Sequence, residues 1–279
     1  MQAASPWPVR QDVKSVRCCA LIPYFEAGDA LLSSIDSIGE SPRVDVLVVD
    51  DGSRTWPARD ALSGYSGSLE VRLIELPENR GIAHALNAGL AEIVDRYDFV
   101  ARLDCGDTCV NDRIRRQIDY LDNNPDCWLV GSWVECVSRE GCHLYELRHP
   151  TTPEEIRRRM FVNSAFSHPA VMFRSTLITE LGNYPTNRPF AEDFSFFRAV
   201  VRHHQGANLP CVMVRYVIDA QAVSTRRRRR QLLSRLRVLL DNFEPKGIAF
   251  YGLLRTCLQL LMPRSVTVQL YQWRQRAWR

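Results

Sequence analysis

Apolar runs that end abruptly in acids set the terms for what this chain can fold into. Val44 to Val49 leads straight into Asp50-Asp51-Gly52-Ser53, and Asp98 to Leu103 leads into Asp104-Cys105-Gly106-Asp107. A short apolar run bounded by turn formers reads as a strand buried on both faces, the kind found in parallel sheets covered by helices. Cys18 to Ile22, closed by Pro23, and Val71 to Leu76 have the same character. Between these runs Ala30 to Ile38 has helical spacing, and Ile82, Leu86, Leu90 and Ile93 recur at it. Strands alternating with helices over about 100 residues predict βαβ units, an α/β class and a mainly parallel sheet. In such a sheet the ligand crevice lies outside the carboxyl ends of the strands. Acids at those ends are therefore placed for ligand chemistry.

The pattern continues less regularly. Ile114, Ile118 and Leu121 mark a helix closed by Asn123-Asn124-Pro125. Trp128 to Val137 reads as a longer strand, with Leu144 to Leu147 as its candidate partner. Thr152-Pro153-Glu154-Glu155 is a helix start: a cap, Pro at the first helical position, then acids in the first turn. Val171 to Phe173 is a short strand, and Ala191-Glu192-Asp193 opens a helix over Phe194 to Val201. There is no internal repeat.

Charge divides the chain. Residues 221–279 carry twelve Arg and one Lys against Asp241 and Glu244, while the whole chain carries only +4, so the body is acidic. Arg226 to Arg230 is an unbroken cationic run, followed by Leu232, Leu233, Leu236, Leu239, Leu240 and Phe243 on one helical face. Ile248 to Met262 is very apolar, is broken by Arg255, and falls short of the roughly 20 residues that span a bilayer. Tyr271, Trp273 and Trp278 follow among further arginines. A basic run can serve nucleic acid or an anionic lipid surface; the amphipathic helices beside it favour the membrane surface, with the tail lying on the bilayer.

The 279 residues suit one large domain, or a domain with an appendage. Nine cysteines without a Cys-x-x-Cys pair read as reduced thiols; Cys105 and Cys109 lack the further ligands a zinc site needs. The N-terminus shows no charged stretch followed by an apolar run, so no secretory signal is expected. A cytoplasmic protein, peripheral to the inner face of the cytoplasmic membrane, is the expectation.

Six segments follow one another in a set order: Ile22-Pro23-Tyr24; Val48 to Ser53; Asn79-Arg80-Gly81 with Asn87; Arg102 to Asp107; His168-Pro169 before Val171-Met172-Phe173; and Ala191-Glu192-Asp193. In that order the chain resembles glycosyltransferase family 2, the inverting enzymes with a GT-A fold, a Rossmann-like nucleotide-diphospho-sugar transferase domain. The resemblance covers roughly residues 16–205. It is specific for the family and silent on the sugar. With it the chain divides into an N-terminal extension (1–15), a GT-A domain (16–220) and a basic amphipathic helical tail (221–279).

The resemblance implies that Pro23, Tyr24, Asp50, Asp51, Asn79, Arg80 and Asp104 border the nucleotide-sugar donor, a UDP- or dTDP-sugar. Asp50 and Asp51 would accept from base and ribose, although an acidic turn capping the next helix through Ser53 has the same look. Asn79 could equally cap a helix, with Arg80 solvated. Asp104 and Asp107 are the metal candidates for Mg²⁺ or Mn²⁺, since a hard cation takes oxygen ligands and a departing diphosphate needs neutralising. Gly106 stands where the family carries a ligating Asp. Three routes stay open there: Asp107 takes over after a small backbone shift, Asp104 binds through water, or metal dependence is weak and an arginine neutralises the diphosphate. Asp193 is the implied base and Glu192 helps place the acceptor, while His168 is either an acceptor-side residue or a satisfied structural one. The implied acceptor is a glycan or lipid-linked hydroxyl in surface polysaccharide or lipopolysaccharide assembly. The rival readings are a non-catalytic glycan-assembly scaffold and a sugar-nucleotide pyrophosphorylase. The latter calls for a Gly-rich phosphate loop that Pro23 to Gly28 does not provide.

Overall fold

The computed structural model describes residues 17–39, 44–218 and 228–262, and these form a sheet with helices on both faces. The first half alternates: β1 (Cys18–Tyr24), α1 (Ala30–Asp36), β2 (Val44–Asp50), α2 (Ala58–Leu62), β3 (Val71–Glu75), α3 (Ile82–Ile93) and β4 (Phe99–Arg102). Strands β3, β2, β1 and β4 lie side by side in that order, all parallel. Parallel neighbours need a crossover, and each helix supplies one. Successive residues of β1 serve opposite cores, as the pleat requires. Cys19 and Leu21 pack in a cluster with Leu86, Leu90 and Ile93 of α3. Cys18, Ala20 and Ile22 belong to a second cluster with Leu31 and Ile35 of α1. This is why the strands read as continuous apolar runs.

The second half adds β5 (Thr108–Cys109), α4 (Arg113–Asn123), β6 (Cys127–Val137), β7 (His143–Leu147), α5 (Pro153–Met160), β8 (Met172–Arg174), α6 (Thr176–Leu181), α7 (Glu192–His203) and β9 (Gln205–Val217). Here the sheet becomes mixed. β8 runs antiparallel to β4 and to β6, β6 is parallel to β9, β5 is antiparallel to β9, and β7 pairs β6 antiparallel. The predicted cap of α5 is present: the Thr152 side chain accepts from the Glu155 amide, with Pro153 at the first position.

Strand β9 has no counterpart in the sequence reading. Pro210 lacks an N–H and interrupts its apolar pattern. The pair absorbs it as a bulge, the register passing from Ser132↔Leu209 to Trp133↔Val212 and leaving Pro210 and Cys211 outside the ladder.

The last two helices, α8 (Arg228–Asp241) and α9 (Gly247–Leu261), form a hairpin packed against the sandwich. Val238 and Leu239 share a core with Phe196 and Phe197 of α7. Arg198 of α7 donates to the Met160 carbonyl at 2.9 Å and to the Asn242 carbonyl at 2.7 Å, and Arg188 pairs with Asp241 at 2.6 Å. Gly252 brings α9 so close that a Cβ there would lie 2.0 Å from the Phe161 carbonyl oxygen. Away from this contact the hairpin exposes Leu233, Leu240, Phe250, Leu254, Leu258 and Leu261. Among the described residues no helix is long and apolar enough to cross a membrane. The expected 1–15 extension, Arg226, Arg227 and the Tyr271–Trp278 cluster lie outside the described residues.

Gly252→Leu is expected to destabilise the protein by about 3 kcal/mol. In a chain of this size that lowers Tm by roughly 6–12 °C. Gly247→Ala, where a Cβ meets nothing within 4 Å, serves as the control. Coincident melting curves for Gly252→Leu and wild type would remove the docking role assigned to this contact.

Candidate active site

The parallel register brings three strand ends to one edge, with Tyr24 opposite Asp50 and Leu21 opposite Arg102. Pro23 pairs with Val49 in the same ladder. The Tyr24 hydroxyl donates to the Trp56 carbonyl at 2.7 Å and accepts from the Gly28 amide at 2.9 Å. Glu26 accepts from the amides of Arg54, Thr55 and Trp56 at 2.7, 3.0 and 2.8 Å. Those amides hold its carboxyl below the usual range. The loop after β2 is thus built on the loop after β1, and it leaves the Trp56 ring 61% exposed at the rim.

Asp50 and Asp51 are both buried, and backbone amides hold each of them. Asp50 accepts from the Ser53 amide at 2.9 Å and from the Ala58 amide, the first of α2, at 2.8 Å. The capping oxygen for that helix is therefore on Asp50, and the Ser53 hydroxyl accepts instead from the Glu26 amide. Asp51 accepts from the Arg80 amide at 3.0 Å and the Gly81 amide at 2.8 Å, which ties the end of β2 to the entry of α3. A carboxylate at a helix N-terminus also suits the helix dipole. Gly52 is required at this crossing: its φ is +73°, and a Cβ would sit 2.4 Å from the Glu78 carbonyl carbon. The side chains of Asn79 and Arg80 remain exposed. Asn79 does not cap α3; its N-cap position is Gly81.

Arg102, fully buried at the end of β4, organises the middle of the edge. Its guanidinium donates to the Leu21 carbonyl at 2.5 Å, to the Leu103 carbonyl at 3.2 Å, to Asp104 Oδ1 at 2.6 Å and to His168 Nε2 at 3.4 Å. About a third of the Asp104 side chain remains exposed. Asp107 is buried. Its Oδ1 accepts from the Val217 amide at 2.9 Å, while its Oδ2 is closed off from solvent with no hydrogen-bond partner. Burial, and then the Asp104 charge, push the Asp107 carboxyl well above its ordinary range. Between the two acids, Gly106 has φ +99°, and a Cβ there would meet only Ala30, at 4.0 Å. Space admits a side chain at this position; the backbone conformation opposes one.

His168 Nε2 also contacts the Tyr184 hydroxyl, at 3.1 Å. Burial, and then the Arg102 charge, hold the ring well below its ordinary pKa, so it is a neutral imidazole wedged among Arg102, Tyr184 and Phe197. Tyr184 is clamped in turn by Asn87, whose amide donates to its carbonyl at 2.9 Å and accepts from its N–H at 3.0 Å. Tyr184 stacks on Phe196 of α7 at 4.3 Å, so one chain of contacts runs from Asp104 to α7.

Glu192 and Asp193 open α7. Just before them Phe190 adopts φ +65°, a conformation that a bulky residue rarely takes. Asp193 Oδ1 accepts from the Phe194 amide at 2.6 Å. Burial raises the Asp193 carboxyl and Asp104 adds to the rise, opposed by that amide and by Arg235 of α8. Burial and the Asp193 charge raise Glu192 to about 7. The Asp104 charge contributes to the rise of both members of this pair. The sequence reading did not foresee Tyr184 or Arg235. Asn87 at helical spacing in α3 was a faint signal for the former, and nothing local signals the latter.

Known proteins agree with this architecture. The profile of the family Glycosyl transferase family 2 matches residues 19–182. The Amylovoran biosynthesis glycosyltransferase AmsE of Erwinia amylovora is 27% identical over 234 residues, covering 82% of this chain and 86% of that protein. The UDP-Gal:alpha-D-GlcNAc-diphosphoundecaprenol beta-1,3-galactosyltransferase of Escherichia coli is 26% identical over 171 residues, 61% of each chain. A solved mannosyltransferase from Pyrobaculum calidifontis, in complex with GDP-Man and Mn²⁺, superposes with a TM-score of 0.61 at 19% identity, covering 91% of this chain and 73% of that one.

The raised Glu192 carboxyl carries a signed consequence for stability. A folded pKa near 7 against an ordinary 4.5 means that the folded state holds a proton which the unfolded chain gives up. The group's favourable contribution is complete below pH 4.5 and is lost as pH rises through about 7. Glu192→Gln is expected to melt above wild type at pH 8, with the gap closing toward pH 4.5; a gap that does not depend on pH would contradict the assignment.

Proposed function

The chain belongs to glycosyltransferase family 2, with the GT-A fold, and on that premise we propose that it moves one sugar from a UDP- or dTDP-sugar to a hydroxyl of a glycan or lipid-linked acceptor, with inversion. The observation that carries this reading is the chain of contacts that runs from Asp104 through Arg102, His168 and Tyr184 to Phe196 of α7, the helix that Glu192 and Asp193 open. Inversion takes one carboxylate on the acceptor side and one leaving-group pocket opposite it.

In this reading the loops built on Pro23, Tyr24, Asp50 and Asp51 hold the base and ribose. Each oxygen of Asp50 and Asp51 takes one amide and keeps a second lone-pair direction. The exposed Asn79 and Arg80 border the same pocket. Asp193 takes the proton from the acceptor hydroxyl as its oxygen bonds to the anomeric carbon. The bond from that carbon to the diphosphate oxygen breaks, and the electron pair leaves with the nucleoside diphosphate. Glu192 beside it orients the acceptor, and the neutral His168 with Tyr184 forms a wall of the acceptor side. Arg102 holds Asp104 in place.

A divalent cation fits the residues present. Asp107 Oδ2 is buried without a partner, and the second oxygen of Asp104 makes no hydrogen bond among the described residues. Both are hard oxygen donors. Among the described residues no group of three or more His, Cys, Asp or Glu could hold a metal unaided. Mg²⁺ or Mn²⁺ takes one or two carboxylates and completes its shell with phosphate and water. Asp104 and Asp107 would hold it, and when bound it supplies positive charge to the departing diphosphate. The relatives' polysaccharide and diphosphoundecaprenol substrates favour a role in cell-surface polysaccharide or lipopolysaccharide synthesis.

The apolar outer face of α8 and α9 supports peripheral attachment to the inner face of the cytoplasmic membrane. α9 exposes Leu254, Leu258 and Leu261, and α8 exposes Arg229, Arg230 and Arg237. Apolar and cationic side chains together suit an anionic lipid surface better than nucleic acid.

Asp193→Asn is expected to reduce transfer at least ~10³-fold while leaving binding of the donor nucleotide within twofold, measured by calorimetry; retained turnover overturns the assignment of the base. Replacing Leu254, Leu258 and Leu261 together by Ser is expected to release the protein from anionic vesicles in sedimentation. Undiminished pelleting would remove the hairpin from membrane contact.

A further inference from the structure

The four residues from Asp104 to Asp107 close one tight turn. The Asp107 amide donates to the Asp104 carbonyl at 3.1 Å. Of the two central residues, Cys105 and Gly106, only Gly106 has a positive φ, +99°. That is the pattern of a type II turn, whose third place calls for glycine. Its first and last residues are the two acids, so their Cα atoms lie within about 7 Å of each other. Helix α1 holds the turn. The Ser34 hydroxyl, fully buried, accepts from the Gly106 amide at 2.8 Å and donates to the Ala30 carbonyl at 3.2 Å. Three residues on, the Ser37 hydroxyl accepts from the Cys109 amide at 2.9 Å and donates to the Ser34 carbonyl at 2.7 Å. Two hydroxyls thus grip the chain on either side of Asp107.

Type I and type II turns differ by a flip of the peptide that joins their central residues. The Gly106 N–H belongs to that peptide, so the Ser34 hydroxyl selects the flip as well as the place of the turn. Two carboxylates at the ends of one turn repel each other, and the turn brings them together nonetheless. Hydrogen bonding within the protein does not account for this. Asp107 Oδ1 takes the Val217 amide, but Asp107 Oδ2 is buried without a partner, and a buried polar atom in that state calls for an explanation. A cation between the acids supplies one. Glycine at 106 then costs the site one carboxylate and gives it the turn. A side chain would have room there, with only Ala30 near, yet the backbone conformation opposes it.

We propose that Ser34 is a positioning residue for the divalent cation: by holding the Gly106 amide it fixes the turn that sets Asp104 and Asp107 together as a pair of ligands. Ser34 itself touches neither cation nor substrate. Partners that orient metal ligands in this way govern metal affinity. The proposal rests on the reading of Asp104 and Asp107 as the cation's ligands, and its test does not require turnover.

The test uses the full chain with UDP, titrated with Mn²⁺ and followed by loss of the free-ion signal in electron paramagnetic resonance. Wild type is expected to bind Mn²⁺. Ser34→Ala removes the hydroxyl, and Gly106→Ala has room but strains the turn. Each is expected to weaken Mn²⁺ binding about tenfold or more, with metal-free UDP binding within about twofold of wild type. Ser37→Ala frees the Cys109 amide and leaves the turn intact, so its Mn²⁺ affinity is expected to stay close to wild type. If Ser34→Ala does not fold, Gly106→Ala carries the comparison. Unchanged Mn²⁺ affinity in these two variants overturns the positioning role. An equal loss in Ser37→Ala makes the effect a general loosening of α1 from the loop and overturns it too. Asp107→Asn is expected to lose Mn²⁺ binding. Wild-type affinity in that variant, or no Mn²⁺ bound by wild type, sinks the ligand pair itself and the proposal with it. A loss in Asp107→Asn with none in Ser34→Ala or Gly106→Ala sinks the proposal alone.

Discussion

A fully enclosed guanidinium, Arg102, holds the working edge of this protein together. Strand β4 ends on it, β1 gives it the Leu21 carbonyl, Asp104 gives it a carboxylate and His168 gives it a ring nitrogen. Through His168 and Tyr184 the same node reaches α7, where Glu192 and Asp193 sit. A buried cation stripped of its carboxylate costs several kcal/mol, so the Arg102–Asp104 pair constrains the geometry from both ends. The arginine stays because its donors are satisfied, and Asp104 keeps its position because the arginine is immobile. Arg113 supports this node from below by donating to the Arg102 carbonyl at 2.7 Å.

Carboxylates at this edge do two kinds of work, and their partners separate them. Glu26, Asp50 and Asp51 accept from backbone amides and thereby shape loops. Asp107, Glu192 and Asp193 are raised by burial and by one another or by Asp104. The second group is electrostatically incomplete in the protein alone, which is the expected state of a site whose ligand brings countercharge or takes up a proton. The first group is what makes the second possible, because loops locked to strand ends keep the raised acids from relaxing away from each other.

Much of this fold was legible because the information is local. Val44 to Val49 reads as a doubly covered strand whatever lies elsewhere, and Thr152-Pro153 reads as a helix start from a few residues alone. The order of the acidic motifs likewise exposed the candidate site. The losses have a shared cause, which is dependence on distant chain. The amide partners of Asp51, at 80 and 81, cannot be read from its own motif. Tyr184 has no motif around it and owes its position to Asn87, 97 residues earlier. Strand β9 was hidden by Pro210, whose bulge only the pairing with β6 can absorb. The tail read as a membrane element from its outer residues. Its inward stripe, Leu232, Val238 and Leu239, belongs to a contact that no single helix encodes.

That inward stripe ties the membrane face to the chemistry. Leu232, Val238 and Leu239 fix the rotation of α8 about its axis, and Arg235 shares their face. The hairpin's position along α7 is set by Arg198 on the Asn242 carbonyl, Arg188 on Asp241 and Gly252 against Phe161. Asp193 is held by the first turn of α7. The exposed apolar face and the inward stripe that packs on Phe196 and Phe197 belong to the same two helices. The contacts of the inward stripe therefore decide which side chains the hairpin presents outward.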